Sequence, residues 1–136
     1  YPIDNVNPNL GAGMLGELTE AMETTEFLLQ LKKRFHCKVI RHTGICKKYI
    51  KTVAICGGSG SFLLADAIKS KADIFITGDF KYHEFFDAEN QCLLLDVGHY
   101  ESEVMIIEAI HEYLSKKISN FAVLKSDICT NPVLYT

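Results

Sequence analysis

The sequence predicts an α/β domain with a mainly parallel or mixed sheet flanked by helices. Two observations carry this. Short apolar, strand-like runs alternate with helical patterns over brief connections, as in a sheet covered on both faces. Three of those runs, at residues 53–56, 74–77 and 93–97, each end in a polar tip built on glycine. Ligands bind at the C-terminal ends of the strands in such sheets. The tips therefore bring a serine, an aspartate, a histidine and carboxylates within reach of one another.

The elements follow in order. Residues 1–18 are rich in Asn, Pro and Gly and read as an irregular lead-in. Residues 19–34 have helical periodicity, with Thr24 or Thr25 as cap and Phe27, Leu28, Leu31 and Phe35 as the apolar stripe. A short strand is predicted at 38–42, a charged turn at 44–51 and a buried strand at 52–56. A helix over 61–71 turns Leu63, Leu64, Ala67 and Ile68 inward. A strand at 73–77, a short helix at 81–89 and a strand at 92–97 follow. The longest helix spans 101–118, with Val104, Ile107, Ile110 and Leu114 at helical spacing. A last strand is expected at 121–124, then a tail. No repeat, biased segment or linker divides residues 1–136, so one domain is predicted.

Bulk properties narrow the function classes. The 136 residues are 48% hydrophobic and 23% charged, ordinary for a globular chain. Net charge is −3, and the one basic cluster, Lys32-Lys33-Arg34, reads as a solvated helix face. A nucleic-acid footprint is not favoured. The longest apolar runs fall far short of a membrane span. The five cysteines are odd in number and show no C-x-x-C spacing, which argues against a disulfide framework or zinc knuckle. Cys56 and Cys92 lie in apolar runs as small core residues. Reduced thiols suit a cytoplasmic setting. The chain opens on Tyr1-Pro2 with neither a start methionine nor a signal pattern, and reads as a piece of something longer.

Four motifs carry chemistry. Gly11-Ala12-Gly13-Met14-Leu15-Gly16 matches G-x-G-x-x-G, but no strand precedes it and no clean helix opens on it, so a loop is the better reading. Gly57, Gly58, Ser59, Gly60 and Ser61 stand between a strand and a helix. They form either an anion-binding cup of backbone N–H groups or a tight turn capped by Ser59 or Ser61. Asp79, Lys81, His83 and Glu84 crowd one turn, with Asp79 also suited to cap a helix. Acid, base and charge clamp are all present there. His99 and Glu103 lie four apart at a helix start and can share one face. Imidazole plus carboxylate at this spacing can clasp one divalent ion. Glu101 and Glu103 also suit the first turn electrostatically.

Together, GAGMLGEL (11–18), VAICGGSG (53–60), ITGDFKYH (76–83) and DVGHYESE (96–103) resemble the C-terminal half of the NIF-three-like family, also labelled GTP cyclohydrolase I type 2 homologues. The resemblance implies the fold of that half and a site for two divalent ions, of zinc, manganese or iron. It maps His99 and Glu103 to ligands, with Glu103 bridging. The remaining ligands, a His-His pair and an Asp, belong to the N-terminal half; this sequence has no His-His pair. The resemblance further implies a homo-oligomer, a ring-like hexamer in the family, and the N-terminal half as partner.

Two functions follow. One is a metal-dependent hydrolase or GTP cyclohydrolase-like enzyme on a nucleotide-like substrate, with Asp79, Lys81, His83 and Glu101 as supporting residues. The fragment alone is expected to be inactive. The other is a non-catalytic metal-binding or metal-handling assembly protein.

Overall fold

The computed structural model describes residues 11–136. Five strands form one mixed sheet in the order β1-β3-β4-β5-β2. These are β1 (Met14–Glu23), β2 (Arg41–His42), β3 (Tyr49–Ser59), β4 (Ile74–Gly78) and β5 (Leu93–Asp96). β3, β4 and β5 are mutually parallel, and β1 and β2 run antiparallel along the two edges. The α/β expectation therefore holds, in its mixed form.

The parallel centre is apolar because both faces are covered. Side chains alternate across it with period two. Ile74, Ile76, Leu93 and Leu95 pack on one face against Leu31 of α1 (Thr24–Arg34). Phe75 and Leu94 pack on the other, against Leu64 and Ala67 of α2 (Leu64–Lys69) and against Phe80. Two further helices, α3 (His99–Glu103) and α4 (Ile106–Lys117), follow β5.

Several predicted boundaries change. Of the lead-in predicted at 1–18, residues 1–10 lie outside the described residues, while Met14 onward forms β1. Residues 19–23, read as helix, also belong to β1, so α1 begins at Thr24. The misreading has a cause: Leu, Glu, Ala and Met are strong helix formers, and pairing with β3 overrides them. The cap of α1 is neither Thr24 nor Thr25. Glu23 accepts from Glu26 N–H at 2.9 Å. The strand predicted at 38–42 shrinks to Arg41–His42, and the turn predicted at 44–51 ends at β3.

β3 continues through Gly57, Gly58 and Ser59, where an anion cup or a capped turn is expected. The helix expected at 61–71 is a 3-10 turn (Ser61–Leu63) followed by α2. Residues Tyr82–Ala88 form a 3-10 helix rather than an α-helix. The single helix expected at 101–118 breaks into α3 and α4 around Val104 and Met105. No strand forms at 121–124. That segment lies along α4 instead, with Val123 carbonyl 3.2 Å from His111 Nε2 and Lys125 paired to Glu108. His111 is thus half-buried, not a free surface residue.

Candidate metal-binding edge

The tips of β3, β4 and β5 are joined by buried polar groups. Thr77, fully buried on β4, donates to the Gly58 carbonyl and accepts from Gly60 N–H, both at 2.9 Å. Asp96, at the end of β5, accepts from Phe80 N–H and Gly98 N–H at 3.0 Å each and pairs with Arg41. Ser102 of α3 accepts from Gly58 N–H at 2.8 Å and donates to the His99 carbonyl at 2.8 Å. These bonds fix all three tips and the start of α3. Thr77, Asp96 and Ser102 were missed as supports, because their partners lie on other strands and leave no local pattern.

His99 stands on this platform. Its Nδ1 lies 2.6 Å from Asp79 Oδ2, and its Nε2 lies 3.3 Å from Glu103 Oε2. The three side chains are half exposed, at 49, 52 and 53% for His99, Asp79 and Glu103. Asp79 is no helix cap: it sits in the left-handed region at φ 60° and turns its carboxylate to the imidazole. The hydrogen bond to Asp79 raises the His99 pKa, burial opposes the rise, and the Glu103 charge adds to it. The local field therefore favours positive charge.

The donor set fits a divalent ion. Two donors on one tetrahedral ion, each about 2.0–2.2 Å from it, lie roughly 3.3–3.5 Å apart. A carboxylate on the second ring nitrogen fixes the tautomer of a metal-binding histidine. Asp79 is placed for that role. Among the described residues no group of three or more His, Cys, Asp or Glu side chains forms a complete metal site.

The other sequence candidates separate. Glu101 lines the same cavity as His99, of about 640 Å3, and its Oε1 lies 3.4 Å from Asn131 Nδ2. Lys81 begins the 3-10 helix, where its N–H donates to Glu84 at 2.8 Å. His83 is exposed and lies against the Tyr82 ring. Neither Lys81 nor His83 lines that cavity. In the anion cup, Gly58 and Gly60 N–H groups are already bonded to Ser102 and Thr77. Neither Ser59 nor Ser61 caps the turn; Ser61 donates to Glu84 at 3.2 Å. The G-x-G-x-x-G segment runs into the edge strand β1 and forms no dinucleotide loop.

Residues 2–132 match the family described as Duf34/NIF3 (NGG1p interacting factor 3). The chain belongs to that family. It is 37% identical over 135 residues to a GTP cyclohydrolase 1 type 2 homolog of Staphylococcus epidermidis, covering 96% of this chain and 37% of that protein. A protein of the same name from Clostridium perfringens is 34% identical over 116 residues, covering 85% and 44% respectively. Among solved structures, a Bacillus cereus protein related to NIF3 superposes with a TM-score of 0.84 at 30% identity, over 100% of this chain and 38% of that one. Staphylococcus aureus protein SA1388 gives 0.78 at 30% identity, over 91% and 42%. The match thus spans less than half the length of each of these Duf34/NIF3 relatives. Among its described residues no helix is long and apolar enough to cross a membrane.

Proposed function

We propose that this chain supplies one arm of a divalent-metal centre, with His99 Nε2 and Glu103 as ligands and Asp79 as the group that orients His99. The observation that carries the reading is the double hold on one imidazole, Nδ1 to Asp79 at 2.6 Å and Nε2 toward Glu103 at 3.3 Å. Two ligands do not complete a site, and the match covers only 37 and 44% of the two curated relatives. The remaining ligands, and the second ion that the family resemblance implies, are assigned to an N-terminal half. In the complete protein the function is that of a metal-dependent hydrolase, cyclohydrolase-like on a nucleotide-like substrate. The name of these relatives, GTP cyclohydrolase 1 type 2 homolog, supports that class.

When bound, such ions supply Lewis acidity and an activated water. The chain's own residues do the rest. Asp79 holds the His99 ring by its Nδ1 proton, and Ser102 fixes α3 against β3, so the ligand pair is set before any ion arrives. Glu101 and Arg41 line the adjoining cavity, where a substrate would lie.

The test is calorimetric titration of the chain with Zn, Mn and Fe(II). The chain alone should bind weakly, and His99→Ala or Glu103→Gln should abolish that binding. Asp79→Asn should weaken it about 10–100-fold without unfolding the domain. Submicromolar stoichiometric binding by the chain alone would show that further ligands lie within it. Turnover of a nucleotide panel by the full-length protein, lost in the same variants, supports the enzyme. Tight binding there without turnover supports the metal-handling alternative.

A further inference from the structure

Arg41 also lines a second cavity, of about 530 Å3, which shares no other residue with the one beside His99. Its walls come from β2, from the 3-10 helix Tyr82–Ala88 and from the turn that follows. The volume lies within the ordinary range for small-molecule sites, which pair apolar walls with a few polar groups.

Three aromatic rings meet there. The Tyr82 and Phe86 rings, four residues apart, meet edge to face with centroids 5.5 Å apart. Neither serves the core: they are 71 and 64% exposed. The third ring, Phe85, carries the Arg41 guanidinium 5.4 Å from its centroid. Arg41 is held by one nitrogen, Nη2, on Asp96 and the Phe80 carbonyl.

The turn closing the cavity is built against local preference. Glu89 and Asn90 both adopt left-handed backbone, at φ 46° and 59°, and Gln91 N–H donates to the Ala88 carbonyl at 2.8 Å. Asn suits such a turn and Glu does not. Nothing in the core requires a glutamate there, since the side chain is exposed. A strained residue at the rim of a cavity points to a role in binding.

We propose that this cavity binds a planar heteroaromatic ring. The ring would stack on the face of one of Tyr82 and Phe86, meet the edge of the other, and turn its polar edge to Arg41, His42, Glu89 and Asn90. The guanidinium supplies donors to ring acceptors, and the Glu89 carboxylate accepts from ring N–H groups. Both kinds of edge contact sit beside one stacking surface. The site is independent of the metal reading, because none of its contacts involves His99 or Glu103.

The chain is titrated with riboflavin and with adenosine, both free of phosphate, in the presence of EDTA. Binding is followed by saturation-transfer NMR and calorimetry, with ribose as the ring-free control. At least one ring probe should bind saturably, and ribose should not. Phe86→Ala and Tyr82→Ala should each weaken binding about tenfold, with the melting temperature unchanged. Glu89→Gly should raise the melting temperature and weaken binding, because it relieves the turn and removes the acceptor. Absence of saturable binding to the unaltered chain overturns the proposal, as does equal binding of ribose. So does an affinity that stays within twofold on loss of either ring. A concentration-dependent dimer that Phe86→Ala dissolves would make this face an interface between copies, and would overturn it too.

Discussion

Gly58 shows how far a single residue can be read from sequence. Its glycine character is visible in the sequence, where an N–H cup and a tight turn explain it equally well. The structure gives another. Gly58 sits at φ +64°, and a Cβ there would overlap the Glu103 carboxylate and approach His99 Cε1 to 3.3 Å. The requirement comes from a helix more than forty positions away, which no local pattern reports. Gly57 is its control, because a Cβ there would meet the Ser102 carbonyl at an ordinary 3.6 Å. Gly58→Ala should therefore cost about 1–2 kcal/mol for its left-handed backbone alone. It should also displace Glu103 and weaken metal binding, whereas Gly57→Ala should leave both stability and binding near their starting values. Thermal melts and metal titrations of the two variants measure this directly. Equal effects at both positions would mean that the contact with Glu103 is not what holds glycine at 58.

Elements with strong local signals were legible, and those set by neighbours were not. The parallel strands β4 and β5 are short apolar runs buried on both faces, and each appeared near its true position, whereas of the longer, partly exposed β3 only the middle, 52–56, was foreseen. β1 did not, because its helix-forming residues lie on an edge and extend only by pairing with β3. α4 was placed, but its break from α3 at Val104 and Met105 has no Pro or Gly to announce it. Asp73 shows how a polar residue joins elements. It accepts from Lys51 N–H at 2.8 Å and Thr52 N–H at 2.9 Å, and pairs with Lys47, tying the start of β4 to β3. Burial pushes its pKa up, but Lys47 and the two N–H groups outweigh this, and the result lies below the ordinary 3.8. A depressed carboxylate stabilises the fold above its unfolded value and loses that contribution as pH falls through the folded one. Asp73→Asn should therefore lower the melting temperature at neutral pH. The gap from the parent chain should be constant above about pH 5 and close below about pH 4. A gap that persists unchanged into acid would show that the carboxylate's charge is not what stabilises the junction.

At the scale of the molecule, the core belongs to the sheet, α1, α2 and the 3-10 helix, while α4 contributes no buried residue. Yet α4 is amphipathic, and Ile106, Ile107, Ile110 and Tyr113 along it are all exposed. A helix with an apolar face gains its stability by burying that face. This chain spans 37 and 44% of the two curated relatives compared and, on the proposed function, holds one arm of a metal site. On the proposed function, an N-terminal half is the expected cover of α4. Ile110, 51% exposed, separates docking from folding. Ile110→Asp should change the stability of the chain alone by no more than about 0.5 kcal/mol, as for a surface position. Mixed with an N-terminal half taken from a full-length relative, the unaltered chain should co-elute, gain amide protection along α4 and bind metal more tightly. The Ile110→Asp chain should do none of these while keeping its melting temperature. If it unfolds by itself, α4 is part of this chain's own core. If it still assembles, the cover lies on another face.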